Sequence, residues 1–177
     1  MSKELKSFMS SKKFLWTFLT GACVFLIVVL IVNAIRGMDV SYVGLVIFIV
    51  GALLSLIPQF KSKKFYAELT QNSQLPEIEE DFKNAACVRN DTLRLGKKWI
   101  FIKGQENILA YNEIQQIYQY VHKTNLVEDE RKLIYVNASG KKKTLCKLEV
   151  RGKSNDEMVS IINYILSKNP NIKIGYH

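Results

Sequence analysis

Charge is missing from two long stretches of this 177-residue chain: residues 14–35 and 40–60 contain no Asp, Glu, Lys, Arg or His. An ion path or proton relay across a bilayer normally needs such a group, so the composition argues against a transporter formed from these stretches alone. Cysteine is scarce and scattered. Cys23, Cys87 and Cys146 form no CxxC pair and leave an odd one over, which excludes a disulfide framework and a clustered thiolate metal site. Reduced, buried thiols are the plainer reading, and they suit a cytoplasmic compartment. The two histidines, His122 and His177, lack neighbouring ligands or nucleophiles, so neither a metal centre nor a catalytic triad has a basis. No cofactor motif is present either. Gly140-Lys141-Lys142-Lys143-Thr144 looks like part of a phosphate loop, but the earlier glycine would fall at Tyr135 and Lys142 stands where Ser or Thr is required. No enzymatic constellation emerges.

What is present divides sharply. Phe14–Ile35 and Val40–Phe60 are each about 21 or 22 apolar residues long, enough at 1.5 Å per residue to span about 30 Å of hydrocarbon. Only Arg36-Gly37-Met38-Asp39 separates them, with Asp39 as partner for Arg36, so the two helices are antiparallel neighbours. The first run could be read as a signal peptide, with Val32-Asn33-Ala34 as its cleavage site, but its length and the second run that follows at once argue against that. Uniform apolarity around both helices argues against a buried hairpin of a soluble protein. Lys3, Lys6, Lys12 and Lys13 precede the hairpin, and Lys61, Lys63 and Lys64 follow it. Basic residues stay on the cytoplasmic side, which predicts a multi-pass protein of the cell membrane with both termini inside. Trp16 and Tyr42 suit the interfaces. Thr17 and Gly21 on the first helix, with Gly51 and Ser55 on the second, form small-residue faces at similar depth that allow close helix packing. Pro58 falls in the last turn, where it bends or ends the helix.

The organisation predicted is a basic N-terminus (1–13), the hairpin (14–60), a juxtamembrane helical segment (61–84) and a domain (85–177). Lys61, Lys63 and Lys64 lie beside Phe60, Phe65 and Tyr66, an arrangement suited to anionic headgroups, although lysines that merely fix topology would look the same. Residues 61–71 continue the second helix, and Leu75–Lys83 forms another, with Pro76 and Glu77 in its first turn. The period then changes to two. Residues 85–89, 92–95, 99–102, 108–111, 131–137 and 142–148 read as strands, with Ala138-Ser139-Gly140 as a hairpin connection. Residues 113–124 carry both periods and are read as a strand. Glu128-Asp129-Glu130 reads as a solvated charge run in a loop. Ser154–Lys168 is an amphipathic helix, with Ser154 as cap and Glu157 completing a capping box, and Pro170 closes it. Ile172–Tyr176 is a final extended piece.

Short antiparallel strands followed by one helix predict a single curved sheet capped by that helix. Residues 85–168 resemble pleckstrin-homology-like domains of small bacterial membrane proteins. The resemblance lies in Thr92-Leu93-Arg94-Leu95-Gly96-Lys97-Lys98-Trp99-Ile100, in Ile108-Leu109-Ala110-Tyr111-Asn112-Glu113-Ile114 and in the terminal helix. With the hairpin and Asn171-Ile172-Lys173-Ile174-Gly175-Tyr176, the chain is similar to an uncharacterised family of two-span bacterial proteins, for which no reaction or ligand is implied. The expected class is therefore an α+β membrane protein: a transmembrane hairpin followed by a pleckstrin-homology-like antiparallel sheet with a C-terminal helix.

Net charge is +9, mostly from lysine. Lys97 and Lys98 share one turn, and Lys141, Lys142 and Lys143 share another. Brought onto one rim, these turns would face anionic lipid headgroups or an acidic protein partner; lysines scattered for solubility are the blander account. Aromatic and basic residues do not interleave on one strand face, so nucleic acid is not an expected partner. Asn90-Asp91-Thr92 and Asn137-Ala138-Ser139 match the glycosylation sequon, which a cytoplasmic domain would not expose to modification. The function expected is a non-enzymatic, membrane-anchored binding module for a protein partner or anionic lipid. The alternative is an accessory subunit of a larger membrane complex joined through the transmembrane helices.

Overall fold

The computed structural model describes residues 1–10, 13–38, 42–125, 127–150 and 154–175. Lys12, Asp39, Val40, Tyr176 and His177 lie outside the described residues, as do the side chains of Lys13, Phe14 and Ser154. The chain forms two compact units, residues 10–75 and residues 1–9 with 76–177.

The first unit is a helical hairpin of α2 (Lys13–Ile35) and α3 (Tyr42–Gln71). Both are long and apolar enough to cross a membrane. A bilayer would enforce helices here despite the many β-branched residues, because hydrocarbon offers the backbone no other hydrogen-bond partner. Gly37 ends α2 with a φ of 73°. Its N–H donates to the Ala34 carbonyl (3.1 Å) and that of Met38 to Asn33 (3.1 Å), the paired bonds of a Schellman cap. The more covered residues of α2, Trp16, Thr20, Cys23, Ile27 and Leu30, recur at alternating spacings of four and three; Phe48, Gly51 and Ser55 do so on α3. That spacing suits side-by-side packing at a small crossing angle. The remaining surface is apolar and exposed, with Phe18, Phe25, Val43, Ile47 and Leu53 among its residues. Pro58 does not end α3, which continues to Gln71. It removes one backbone bond without stopping the helix, a tolerance common where neighbouring polar groups are at hand.

In the second unit, α4 (Leu75–Asn84) leads into a meander of β1 (Ala86–Val88), β2 (Leu93–Leu95), β3 (Trp99–Ile102) and β4 (Ile108–Ala110). A 3-10 turn at Tyr111–Glu113 follows. Then come β5 (Ile114–Thr124), β6 (Val127–Asn137) and β7 (Lys142–Leu148), joined antiparallel, α5 (Ser154–Lys168), and β8 (Lys173–Ile174), which pairs parallel with β5.

The expectation of one curved sheet is corrected here: there are two four-stranded sheets, ordered β1-β2-β3-β4 and β7-β6-β5-β8. The break is local. Tyr111 is buried and its hydroxyl donates to the Gly96 carbonyl (2.8 Å). The chain therefore turns inward at the end of β4, and β5 pairs with β6 and β8 instead. A second correction concerns Glu128-Asp129-Glu130, which lies within β6. Glu128 pairs with Arg131 (2.5 Å) and Glu130 with Lys132 along β6 itself, while Asp129 reaches His122 of β5 (2.8 Å) and Glu130 also reaches Lys147 of β7, so contacts within and across the strands hold the run extended.

Alternation does the rest. Leu93, Leu95, Ile100, Ile102 and Leu109 of the first sheet meet Ile117, Leu133, Tyr135 and Leu145 of the second, and Ile161 and Ile165 of α5 close the core. The opposite face of the first sheet carries Arg94 and Phe101, directly paired across β2 and β3. Phe82 of α4 packs on Phe101 with ring centroids 5.2 Å apart, and Phe8 packs on Phe82 at 5.3 Å. Phe8 belongs to α1 (Lys3–Met9), which precedes the hairpin in sequence and buries Leu5, Phe8 and Met9. The Gly104 N–H donates to the Phe8 carbonyl (3.0 Å). Residues 3–9 are thus an integral part of the domain.

Candidate functional site

The basic residues singled out from the sequence fall in three places. Lys61, Lys63 and Lys64 are exposed on the last turns of α3, with Lys64 3.7 Å from Glu68 one turn on. Lys97 and Lys98 form the β2–β3 turn, and this turn is tightly held. The buried Asp81 carboxylate of α4 accepts from the backbone N–H groups of Lys97 (2.6 Å), Lys98 (3.1 Å) and Trp99 (3.0 Å). Gly96 makes room for it, since a Cβ there would lie 2.2 Å from the carboxylate. The Lys98 ammonium pairs with Glu77, which raises its pKa. The backbone of this turn serves structure; its lysine heads are exposed.

Lys141, Lys142 and Lys143 are exposed at the β6–β7 hairpin. Gly140 supplies the left-handed position of the three-residue loop (φ 73°), and Asn137 braces it by accepting from Ser139 Oγ (2.8 Å) and Lys141 N–H (2.9 Å). Lys142 lies 5.9 Å from the Tyr118 ring centre. The two lysine turns do not form one rim. Lys98 immediately precedes β3, whereas Thr144, following Lys143, accepts at its carbonyl from Gln105 in the turn after β3 (3.0 Å). They approach opposite ends of that strand.

The small-residue faces are brought together in part. Ser55 is buried, and its hydroxyl lies 2.7 Å from that of Thr20, which also accepts from Gln59 Nε2 (2.7 Å). A Cβ on Gly51 would lie 3.5 Å from Cys23 Sγ. Thr17 is exposed, and nothing lies within 4 Å of a Cβ placed on Gly21. Thr20 and Cys23 of α2 thus face Ser55 and Gly51 of α3. The i to i+4 spacing of Thr17 and Gly21 was legible, but the rotation of α2 about its axis was not.

A cleft missed at the sequence level lies on the outer face of the first sheet. It has a volume of about 420 Å³ and is lined by Lys3, Glu4 and Ser7 of α1, with Asp91, Arg94 and Lys103. Arg94 Nε donates to Asp91 (2.6 Å), holding that carboxyl below the usual range. Its guanidinium carbon sits 4.4 Å from the centre of the Phe82 ring and 5.1 Å from that of Phe8. No cluster of three or more His, Cys, Asp or Glu suited to a metal ion occurs among the described residues.

Fold and surfaces together define an α+β domain of two sheets attached to an apolar helical hairpin. The chain belongs to the family described as Domain of unknown function (DUF6709), whose model matches residues 59–177. That span takes in the end of α3, α4, both sheets and α5. Comparison with curated proteins and with solved structures gives no match.

Proposed function

We propose that the chain is a membrane-anchored, non-enzymatic binding module whose domain faces the cytoplasm and engages a protein partner or anionic lipid. One observation carries this reading: residues 1–9 and 76–177 share a compact unit, while residues 10–75 form the hairpin between them. A chain that leaves a folded unit and returns to it must cross a bilayer an even number of times, so both ends of the hairpin belong on one side. The lysines at those ends favour the cytoplasmic side. Four antiparallel strands, then three, then a helix is an order that supports a pleckstrin-homology-like reading of the domain. The exposed β6–β7 lysines are the best-presented basic surface for an acidic partner or headgroup.

Cys87 supplies a native reporter, because it is exposed while Cys23 and Cys146 are buried. A membrane-impermeant maleimide should modify Cys87 only after cells expressing the protein are permeabilised. Modification in intact cells would remove the cytoplasmic assignment.

A second reading, as accessory subunit of a membrane complex, draws support from Gly21. Its surroundings are open, which leaves a small-residue position for a helix of another chain. A cysteine introduced by Gly21→Cys should then cross-link to a neighbouring subunit in native membranes, and only monomer would count against this reading.

A further inference from the structure

We propose that the cleft between α1 and the first sheet binds a phosphomonoester. The inference rests on the binding-module reading of the domain, but not on the β6–β7 lysines or on membrane orientation. Two elements that build the cleft, α1 and α4, lie outside residues 85–168, so it is not a property of the pleckstrin-homology-like segment alone.

Arg94 is the centre of the argument. A guanidinium carries five N–H donors, and here Nε alone is engaged, by Asp91 at 2.6 Å. The four terminal N–H donors have no protein acceptor among the described residues, although the side chain is only 22% exposed. Its plane is nonetheless fixed, by the Phe82 and Phe8 rings and by the Asp91 carboxylate. Asp91 is itself held in an unusual backbone. Arg89, Asn90 and Asp91 have φ values of 54°, 51° and 58°, three successive non-glycine residues in the left-handed region. The left-handed region is unfavourable for side chains with a Cβ, most of all for Arg89, and strain of this kind tends to persist where a neighbouring group must be aimed.

An immobilised guanidinium with its two terminal nitrogens open matches two oxygens of a phosphate, side by side. Lys3 and Lys103 line the same cleft as mobile point charges, and Ser7 offers a hydroxyl. Against these three cations stand Asp91, already engaged, and Glu4, which leaves the cleft at +1 and short of negative charge. A phosphomonoester brings close to two negative charges and three acceptor oxygens at neutral pH. The volume of about 420 Å³ lies within the range of small-ligand sites, roughly 300–1,000 Å³. Both a soluble metabolite and a phosphatidic acid headgroup present this chemistry.

The test uses the full chain in nanodiscs. In neutral phosphatidylcholine discs, calorimetric titration with glycerol 3-phosphate reads the soluble source. Discs containing phosphatidic acid, compared with discs containing the diester phosphatidylglycerol, read the lipid source through protection of α1 from hydrogen exchange. Binding in either arm supports the proposal and names the source. The expected response to Arg94→Lys, which keeps the charge but loses the fork, is at least a tenfold loss. Lys103→Gln, at an exposed position that does not threaten folding, should weaken binding severalfold, and Glu4→Gln should tighten it. Changing Lys141, Lys142 and Lys143 together to Gln should leave it unaltered. Absence of binding in both arms, a protection by the diester equal to that given by phosphatidic acid, or indifference of the observed binding to Lys103→Gln would overturn the cleft. The Cys87 labelling result would stand apart from that failure.

Discussion

Asp81 shows how much one side chain can organise. Hydrogen bonds to a charged acceptor contribute roughly 1.5–3 kcal/mol each, and this carboxylate receives three from consecutive backbone groups. Asp81→Ala should therefore lower unfolding free energy by about 3 kcal/mol or more in denaturant titration. A loss under 1 kcal/mol would mean that water replaces the carboxylate. Periodicity revealed only that Asp81 sits in a short acidic helix; a long-range acceptor for a turn sixteen residues away leaves no local signature. Cys146 behaves differently. Burial pushes its thiol up to about 12, and burial also raises the Tyr111 hydroxyl. A group whose folded pKa is raised contributes stability that is complete below its unfolded value, about 8.5 for a thiol, and is lost as pH rises towards the folded value. Stability should accordingly fall between about pH 9 and 12, measurable by melting across that range, with Cys146 resisting alkylation at pH 8 while Cys87 reacts.

At the level of elements, α1 is the piece most easily overlooked. Lysines at positions 3 and 6 draw attention to topology, yet Leu5, Phe8 and Met9 already have the three-and-four spacing of a helix face. Leu5→Ala should cost about 2–4 kcal/mol by the usual penalty for truncating a buried leucine. A negligible change in melting would show that α1 adds no stability to the domain. The hairpin at 138–140 and the helix at 154–168 were legible because turn chemistry and apolar period agree there, whereas residues 113–124 carried both periods and only their aromatic and β-branched content favoured the strand that β5 forms. The division into two sheets was not. It depends on Tyr111 reaching the Gly96 carbonyl, a contact that no spacing rule anticipates. Likewise Glu128-Asp129-Glu130 has loop-like composition, and only its partners on β5, β6 and β7 make it a strand.

At the scale of the whole molecule, composition alone separated the apolar hairpin from the domain, but it could not reveal that the domain begins before the hairpin. This arrangement has a physical consequence that can be measured. A protease site inserted at Gly37 and cut should leave residues 1–37 bound to 38–177 in mild detergent, held by the helix pair and by α1. Fragments that separate on size exclusion would show that neither contact survives without the covalent link.

The position of α1 also bears on how the protein is made. Its seven residues leave the ribosome before the rest of the domain, yet the sheet that receives them is complete only when β4 has been synthesised, about a hundred residues later. Until then Leu5, Phe8 and Met9 have no surface to cover them, and closing so long a loop is slow compared with local folding. The piece of the domain translated ahead of the hairpin is therefore among the last to dock, and nascent chains stalled before residue 110 should present it to chaperones.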